Sequence, residues 1–206
     1  MKKNIEGIIH RPFAPAIGQY NLKEKSTEEI NKYIDNLRTN EKEIQINNYG
    51  DKLAGEITHE ISLSNEFLSK FLLDELAANV HNYVKSCIGK EITKFNIKEC
   101  WVVCQYQNDY NPIHWHSGHV SGVAYLKVPK SFGESIKKEN RNGRIAFIHG
   151  SRQFLSKSSI EFTPSVTDLY LFPSYLMHTV YPFKSKDERR SIAFNAFIDE
   201  EFVNKI

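Results

Sequence analysis

The sequence predicts an α+β protein, mainly β, in which a jelly-roll core follows N-terminal helices that pack on its sheet. Two observations support this fold class. Helical periodicity, with apolar side chains at i, i+3 and i+4, is confined to roughly the first 90 residues. From about residue 92 onward, short β-forming segments are separated by Gly, Pro, Asn or Ser with no helical segment between them, which is typical of an antiparallel sandwich or barrel.

The length and composition predict a single domain covering residues 1–206, with a helical part at about 1–90 and the jelly-roll core at about 91–206. A net charge of +2 argues against a protein that binds nucleic acid through bulk charge. No apolar run is long enough for a signal peptide or for the roughly 20 residues of a membrane span. Three cysteines do not form a disulfide framework, so we expect a cytoplasmic protein. The oligomeric state is not predicted.

The helical part begins with short extended pieces at residues 6–22, which Pro12, Pro15 and Gly18 are expected to break. Residues 38–61 are polar with isolated apolar pairs. This composition predicts a long connection that carries a short strand or two.

Two helices are predicted around that connection. The first covers residues 26–37, because Ser26 followed by Glu29 forms a capping box before an apolar stripe. The second covers residues 65–89 and ends at Gly89, a typical C-terminal cap. Its buried stripe at helical spacing is expected to contain Leu68, Leu72, Leu76, Val80, Tyr83, Val84 and Cys87.

The β part contains six segments rich in strand-forming residues. They are FNIKECWVVCQYQ, SGVAYLKV, GRIAFIHG, DLYLFP, HTVYPF and RRSIAFNAFI. Cys100 and Cys104 in the first segment share a strand face about 13 Å apart, too far for a disulfide or a shared metal. They are interpreted as small buried apolar side chains.

Three histidines lie close together in the stretch NPIHWHSGHV. Side chains two apart on a strand point to the same side, so His114 and His116 can converge on one metal ion while Trp115 points away. His119 is out of phase with that pair and is either a loop residue or an alternative ligand. A metal held by two histidines needs at least one further ligand, and His178, between a Pro-Ser turn and a strand, is the candidate.

The last predicted strand places Arg189 and Ser191 on one face and Arg190 on the other. If the first face carries the metal, these two side chains form a carboxylate clamp, because the guanidinium fork binds both oxygens and the hydroxyl adds a hydrogen bond. The alternative is a charged turn that runs into a strand, with both arginines in water.

Taken together, these motifs resemble the iron(II)- and 2-oxoglutarate-dependent oxygenase superfamily. An HxH motif, commonly HxD in the family, precedes an SGVxYL strand; a distal histidine follows an FPS turn, and an RxSIAFN strand closes the domain. The sequence is most similar to the short 2OG-Fe(II) oxygenases of phages and marine bacteria, which are related to prolyl hydroxylases. The resemblance implies a double-stranded β-helix of cupin type and a hydroxylation coupled to the decarboxylation of 2-oxoglutarate to succinate.

The resemblance also implies roles for individual residues. The implied iron ligands, which form the catalytic centre, are His114, His116 and His178. The implied 2-oxoglutarate contacts are Arg189, Ser191 and Tyr125 at the distal carboxylate, with Tyr106 as a further cofactor contact. Tyr106 and Gln105 lie on the strand that leads into the metal motif, where the family often has groups that contact cofactor or substrate. The implied cofactors are Fe(II), the co-substrate 2-oxoglutarate and O2, and the implied substrate is an amino acid, a peptide or another small molecule.

The second position of the metal motif departs from the family norm, because His116 stands where most relatives have a carboxylate. A neutral ligand leaves the site one unit more positive, which alters its redox behaviour and favours other metals such as zinc. Two alternatives therefore stay open. One is a three-histidine, cupin-like metal dioxygenase that does not use 2-oxoglutarate. The other is a non-catalytic jelly-roll binding or structural module, since the fold alone does not decide function.

Overall fold

The computed structural model describes residues 7–10 and 15–203, and within them the chain forms four α-helices, eleven strands and two short 3-10 turns. The helices are α1 (Glu24–Leu37), α2 (Glu41–Ile46), α3 (Asn65–Phe71) and α4 (Leu73–Ile88); the 3-10 turns are Gly50–Lys52 and Glu200–Phe202. The strands are β1 (Ile8–His10), β2 (Ile17–Asn21), β3 (His59–Ser62), β4 (Phe95–Gln105), β5 (Asn111–His114), β6 (Val120–Lys127), β7 (Ile145–Ile148), β8 (Ser159–Phe162), β9 (Asp168–Pro173), β10 (Met177–Val180) and β11 (Arg189–Ile198).

The strands form two antiparallel sheets. The larger sheet has the order β1-β2-β9-β6-β11-β4-β3, and the smaller sheet has the order β5-β10-β7-β8. Six of the nine neighbouring pairs in the described chain join strands that do not follow one another in sequence, such as β2 with β9 and β5 with β10, as in a double-stranded β-helix. The predicted fold class, a jelly roll with N-terminal helices packed on its sheet, is confirmed.

The larger sheet separates two apolar cores, because side chains alternate along each strand. On one face, Ile192 and Phe194 of β11 pack with Ile30 of α1 and Leu76 of α4, in a core that the helices and the sheet share. On the other face, a smaller core lies between the two sheets. It contains Ile17, Tyr125, Ile145, Phe147, Tyr170, Phe172, Leu176 and Val180. The single-domain organisation stays a prediction, and the shared helix–sheet core supports it.

The predicted start of the first helix is wrong. Helix α1 begins at Glu24, two residues earlier, and the side chain of its N-cap residue Lys23 makes no capping bond. Instead, Glu75 of α4 accepts hydrogen bonds from the Lys23 backbone N–H at 2.6 Å and from the Ser26 hydroxyl at 2.5 Å. A carboxylate at a helix N-terminus is favourable because of the unpaired N–H groups there. The cap is therefore supplied by another helix.

The predicted helix at residues 65–89 is divided into α3 and α4 at Leu72, whose φ of −133° and ψ of −32° interrupt the helical backbone. The Ser64 hydroxyl caps α3 by accepting from the Phe67 N–H at 3.2 Å. The predicted end is confirmed, since Gly89 has a φ of 68° and donates its N–H to Lys85. The predicted stripe is buried from Leu68 to Val84, but its last member, Cys87, is only half-buried.

All six predicted strands of the β part are present, and β11 coincides with the segment RRSIAFNAFI. The connection at residues 38–61 carries the expected short strand, β3, but also the helix α2, which was not predicted. Strands β5 and β8 were also missed. Gly18 lies inside β2 and does not break it, whereas the expected break at Pro12 lies outside the described residues.

The three cysteines carry free thiols, and Cys100 and Cys104 are buried as predicted. Burial raises the pKa of the Cys104 thiol to about 12, so it stays protonated and behaves as an apolar group. In the part of the chain that the structure describes, every helix is too short or too polar to cross a bilayer.

Candidate metal centre

His114, His116 and His178 converge at one end of the space between the two sheets. His114 ends β5, His178 lies in β10, and the two are paired directly across the antiparallel ladder. His116 lies in the loop just after β5. The ring centroids are 4.2 Å apart for His114 and His178, 5.0 Å for His114 and His116, and 5.1 Å for His116 and His178. One nitrogen from each ring lies within 4.8 Å of the others, close enough for one ion to contact all three.

Backbone carbonyls fix the orientation of two of these rings. His114 Nδ1 lies 2.7 Å from the Pro112 carbonyl oxygen, and His178 Nδ1 lies 2.9 Å from that of Leu176. A carbonyl can only accept, so each Nδ1 carries the proton and each Nε2 keeps a free lone pair. This is the arrangement that metal-binding histidines usually have, because a bond to the second nitrogen sets the tautomer. His116 is the least constrained of the three rings.

Burial keeps all three imidazoles neutral at pH 7. Desolvation lowers the pKa of His178 to about 3 and, together with the neighbouring His114, lowers the pKa of His116 to about 4. Desolvation also lowers the pKa of His114. The neutral ring is the form that binds a metal, so each of the three histidines has a nitrogen lone pair available for coordination without losing a proton.

The loop that carries His116 is held by backbone hydrogen bonds to the turn after β9 and to β11, where the His119 N–H donates to the Ala196 carbonyl at 2.9 Å. The His116 N–H donates to the Ser174 carbonyl at 2.9 Å, and the Ser174 N–H donates to the His119 carbonyl at 3.1 Å. Gly118 has a φ of 126°, and a Cβ there would lie 3.2 Å from the Ala196 carbonyl oxygen. The loop therefore needs glycine at this position.

His119 lies apart from the other three histidines. Its Nδ1 accepts a hydrogen bond from the Ile198 N–H at 3.1 Å, and its ring packs edge-on against Phe197. Trp115 points away from the cluster and is 66% exposed. The structure thus brings together the three histidines expected from the sequence and places His119 elsewhere.

A cavity extends from the histidines along the inner face of the larger sheet. The residues that line it are Leu53, Ala54, Glu60, Trp101, Val103, Gln105, Asn111, His114, His116, Ser121, Gly122, Val123, Ile145, Phe172, His178, Val180, Arg189, Ser191, Ala193 and Phe194. Arg189 and Ser191 are on this face, as the alternation of β11 predicts. They are two residues apart on β11, so both side chains lie on the same wall of the cavity.

The Arg189 side chain is 1% exposed and forms no ion pair with an acidic residue of the described chain. It donates to the Gly143 carbonyl and to the Tyr125 hydroxyl, both at 3.3 Å, and its guanidinium lies 4.9 Å from the Tyr125 ring centroid. Desolvation lowers its pKa, although arginine remains charged. A buried cation without an acidic partner is costly, so this position favours an anionic ligand.

Arg190 has the opposite environment, on the helix-facing side of the sheet. It forms ion pairs with Glu188 at 2.8 Å and with Asp35 of α1 at 2.7 Å. Its charge is therefore neutralised within the protein. Of the two adjacent arginines, Arg189 alone faces the cavity, which agrees with the assignment made from strand phase.

The two expected tyrosine contacts are placed differently. Tyr125 is fully buried behind the guanidinium of Arg189 and does not line the cavity. Tyr106 accepts a hydrogen bond from Arg38 at 2.7 Å and packs beside the helix-facing core, so the structure does not bring it to the histidines. The preceding residue, Gln105, lines the cavity instead, because adjacent strand residues face opposite sides.

Three cavity-lining side chains have a buried N–H group without a hydrogen-bond partner among the described residues: Arg189 at Nε, Gln105 at Nε2 and Trp101 at Nε1. Buried donors in native proteins almost always have a partner. Three unpaired donors in one cavity indicate a ligand with several acceptor oxygens, which fits 2-oxoglutarate. Sequence reasoning missed Trp101, which pairs with Ala193 of β11, and Glu60, which only the β3–β4 pairing brings to the cavity.

The donor set also fits a transition metal. Neutral imidazoles bind iron, zinc, copper and nickel, and three of them leave coordination positions open for further ligands. In the described residues the cluster contains only histidines, so His116 would stand where the usual 2-His-1-carboxylate set has a carboxylate. The site therefore fits Fe(II) with one less negative charge than the family norm.

Comparison with known protein families gives a match that agrees with this donor set. Residues 99–195 match a protein family described as "Putative 2OG-Fe(II) oxygenase", and this range contains every histidine of the cluster and Arg189. The resemblance inferred from the motifs is confirmed. No match was found among curated proteins.

Solved structures of 2-oxoglutarate oxygenases share the fold. A viral collagen prolyl hydroxylase from Paramecium Bursaria Chlorella virus-1, in complex with 2-oxoglutarate, aligns over 87% of this chain and 94% of its own, with 14% identity and a TM-score of 0.55. A Trichoplax adhaerens prolyl hydroxylase bound to a peptide of hypoxia inducible factor aligns over 92% and 87%, with 16% identity and a TM-score of 0.54. HygX from Streptomyces hygroscopicus, with nickel, 2-oxoglutarate and hygromycin B bound, aligns over 87% and 82%, with 10% identity and a TM-score of 0.52.

Proposed function

We propose that this chain, whose residues 99–195 match the 2OG-Fe(II) oxygenases, is a non-haem iron(II), 2-oxoglutarate-dependent dioxygenase. It hydroxylates a C–H bond of an amino-acid, peptidyl or small-molecule substrate and releases succinate and CO2. The free thiols are consistent with a reducing compartment, and we propose the cytoplasm.

The observation that carries this proposal is the position of Arg189. A fully buried guanidinium, with one N–H unpaired and no acidic partner in the described chain, lines the same cavity as three neutral imidazoles. A dicarboxylate that also contacts a metal would satisfy both groups at once. A structural metal site alone would need no buried cation beside it.

The cavity residues have separate tasks in the proposed reaction. His114, His116 and His178 would hold Fe(II), and Arg189 with Ser191 would hold the distal carboxylate of 2-oxoglutarate. When bound, Fe(II) supplies the activation of O2 and the oxidation that couples decarboxylation to hydroxylation. The protein orients the co-substrate and excludes water, since the walls of the cavity are mostly buried.

Tyr125 would support Arg189 from behind. Its hydroxyl accepts from the guanidinium, and its ring covers one face of it, so the fork has a fixed direction. Gln105 is paired with Arg189 across β4 and β11, and its unpaired amide N–H would donate to the same co-substrate. Tyr106 has no proposed role in the site, because it binds Arg38 on the other face of the sheet.

Two of the similar structures bind quite different substrates. The Trichoplax adhaerens enzyme is bound to a peptide and HygX is bound to hygromycin B. By analogy, both a peptidyl and a small-molecule substrate are compatible with this fold.

The second candidate is a three-histidine metal dioxygenase that does not use 2-oxoglutarate. The donor set favours it, because all three candidate ligands are neutral. It gives no role to the buried charge of Arg189. If it is correct, Arg189→Gln leaves activity on the substrate intact, whereas the first proposal expects that activity to be lost.

Turnover of 2-oxoglutarate tests the proposal. The protein is reconstituted with Fe(II) under anaerobic conditions, and succinate is measured after O2 and 2-oxoglutarate are added. We expect slow formation of succinate even without substrate, and its loss in Arg189→Gln. Absence of succinate, together with no stabilisation by 2-oxoglutarate in the metal-loaded protein, would count against the proposal.

A further inference from the structure

The cavity has a second charged side chain, Glu60, at the edge opposite Arg189. We propose that the β3–β4 side of the cavity is a subsite for a substrate with a protonated amine, which the Glu60 carboxylate binds while the Trp101 indole N–H donates to an acceptor on the same molecule. The inference rests on the proposed function, because it takes 2-oxoglutarate to occupy the Arg189 side.

Glu60 is a buried carboxyl group without a partner. It lies on β3 opposite Val103 of β4, lines the cavity, and is 3% exposed. Among the described residues, no ion pair or side-chain hydrogen bond to its carboxylate is found. Burial and the nearby negative charge of Asp109 raise its pKa to about 7. An ammonium group in the cavity would offset both the burial of Glu60 and its repulsion by Asp109, because it supplies a positive charge and hydrogen-bond donors to the carboxylate.

Two cations of the described chain in this region, Lys52 and Arg38, have other contacts. Lys52, in the 3-10 turn whose first residue Gly50 adjoins the Glu60 carboxylate, has its ammonium 4.9 Å from the Tyr49 ring centroid. Arg38 pairs with Glu188 on the helix-facing side of the sheet. The negative charge beside the cavity is therefore available to a ligand.

Trp101 supplies a donor next to the candidate metal. Its indole N–H is buried and unpaired, and its ring lies edge-on to His116 with centroids 5.7 Å apart. Trp101 is also the residue of β4 that pairs with Ser62, two residues after Glu60 on β3. A molecule held by both Trp101 and Glu60 would thus lie beside the histidine cluster, where its C–H bonds can react.

The two charges of the cavity are far enough apart for two molecules. Arg189 is on β11 and Glu60 is on β3, with β4 between them. Two strand spacings correspond to about 10 Å across the sheet, before any offset along the strands. An anion at Arg189 and a cation at Glu60 can therefore be bound together. Each charge would attract its own ligand and disfavour the other.

Glycinamide is a suitable probe, because it carries an ammonium group and a carbonyl acceptor two bonds away. Propanamide is its neutral counterpart, with a methyl group in place of the ammonium. The chain has two tryptophans, so its NMR spectrum has two indole N–H signals, and Trp115→Phe assigns that of Trp101. Binding is measured on the full chain without metal or 2-oxoglutarate, which keeps the test independent of turnover.

We expect glycinamide to shift the Trp101 indole signal saturably and to bind about tenfold more tightly than propanamide. Glu60→Gln should weaken glycinamide binding about tenfold or more, while Glu56→Gln, which removes an exposed carboxylate of the same segment, should have no effect. Trp101→Phe, followed through the methylene signal of the probe, should weaken binding by a smaller factor.

Equal affinities of the two probes, or an unchanged affinity in Glu60→Gln, would overturn the inference. The proposed function fails in a different way, namely when wild-type protein forms no succinate. Glu60-dependent binding of glycinamide in a protein that never turns over 2-oxoglutarate would support the amine subsite and contradict the oxygenase.

Discussion

His114 lies directly opposite His178 in the antiparallel ladder of β5 and β10, and their ring centroids are 4.2 Å apart. The pairing joins residues 64 positions apart in sequence and positions two candidate ligands through backbone hydrogen bonds. A pair held in this way depends on strand register, because a shift by one residue would turn one imidazole to the other face of the sheet. The third candidate ligand, His116, is held by a loop.

His178→Ala should abolish binding of Fe(II), since two remaining imidazoles are too few to hold the ion. His119→Ala is the matched control and should bind metal like wild type, because His119 contacts Ile198 and Phe197 outside the cluster. Metal content after dialysis, measured by mass spectrometry, checks both. Retention of metal in His178→Ala would contradict the assignment of this residue.

Arg189→Gln should weaken binding of 2-oxoglutarate by about 100-fold, because a desolvated, charge-assisted fork is lost. The variant should be as stable as wild type or more stable without co-substrate, since an uncompensated buried charge has been removed. Anaerobic calorimetry and thermal unfolding measure the two effects. Arg152→Gln, which removes an exposed arginine, should change neither.

Gly118→Ala should reduce metal affinity by about tenfold or more, because the new Cβ meets the Ala196 carbonyl at 3.2 Å and displaces the loop that carries His116. Gly89→Ala is the control, with a φ of 68° but no atom within 4 Å of the added Cβ. It should lower stability by about 1 kcal/mol and leave metal affinity unchanged. Equal metal affinities in both variants would show that the loop is not held rigidly.

His116→Asp should shift metal preference from zinc toward iron. The carboxylate is a harder ligand and adds the negative charge that most relatives have at this position. Protein incubated with equimolar Fe(II) and Zn(II) under anaerobic conditions, followed by metal analysis, measures the ratio. An unchanged ratio would indicate that the charge of this ligand does not determine metal choice.

Glu60 should make stability decrease as pH rises. Its pKa is about 7 in the folded chain and near 4.5 when unfolded, so the folded state binds the proton more tightly. Stability is therefore lost between about pH 4.5 and pH 7, by up to roughly 3 kcal/mol from this group. Glu60→Gln should remove the loss and be more stable than wild type at pH 8, but not at pH 4. Urea unfolding at pH 4 and pH 8 measures the free energy of unfolding of both proteins. The same change with pH in wild type and in Glu60→Gln would disprove the effect.

The sequence predicted the site residues best where strand phase applied. Arg189 and Ser191 face the cavity and Arg190 faces the helices because side chains alternate along β11. The same rule was used to group His114 with His116, although His116 lies in the loop after β5 and not on the strand. It would also have favoured Gln105 over Tyr106, since Gln105 and Trp101 share a face of β4.

Residues whose partners are distant in sequence could not be predicted in this way. Glu75 caps α1 from another helix, so the local capping box at Ser26 and Glu29 was misleading. The break at Leu72 has no glycine or proline to mark it, and the Leu72 side chain is buried in the core that the helices and the sheet share. At α1 a tertiary contact outweighs the local preference.

The sequence alone thus determined the fold class, six strands of the β part and the face on which each β11 side chain lies, since all of these depend on local periodicity. The tertiary structure decided which strands are neighbours. That decision placed Glu60 and Trp101 on the wall of the cavity and left Arg189 without an acidic partner in the described chain. The physical reason is that periodicity specifies the direction of a side chain relative to its own strand, whereas its environment depends on segments that only the folded sheet brings together.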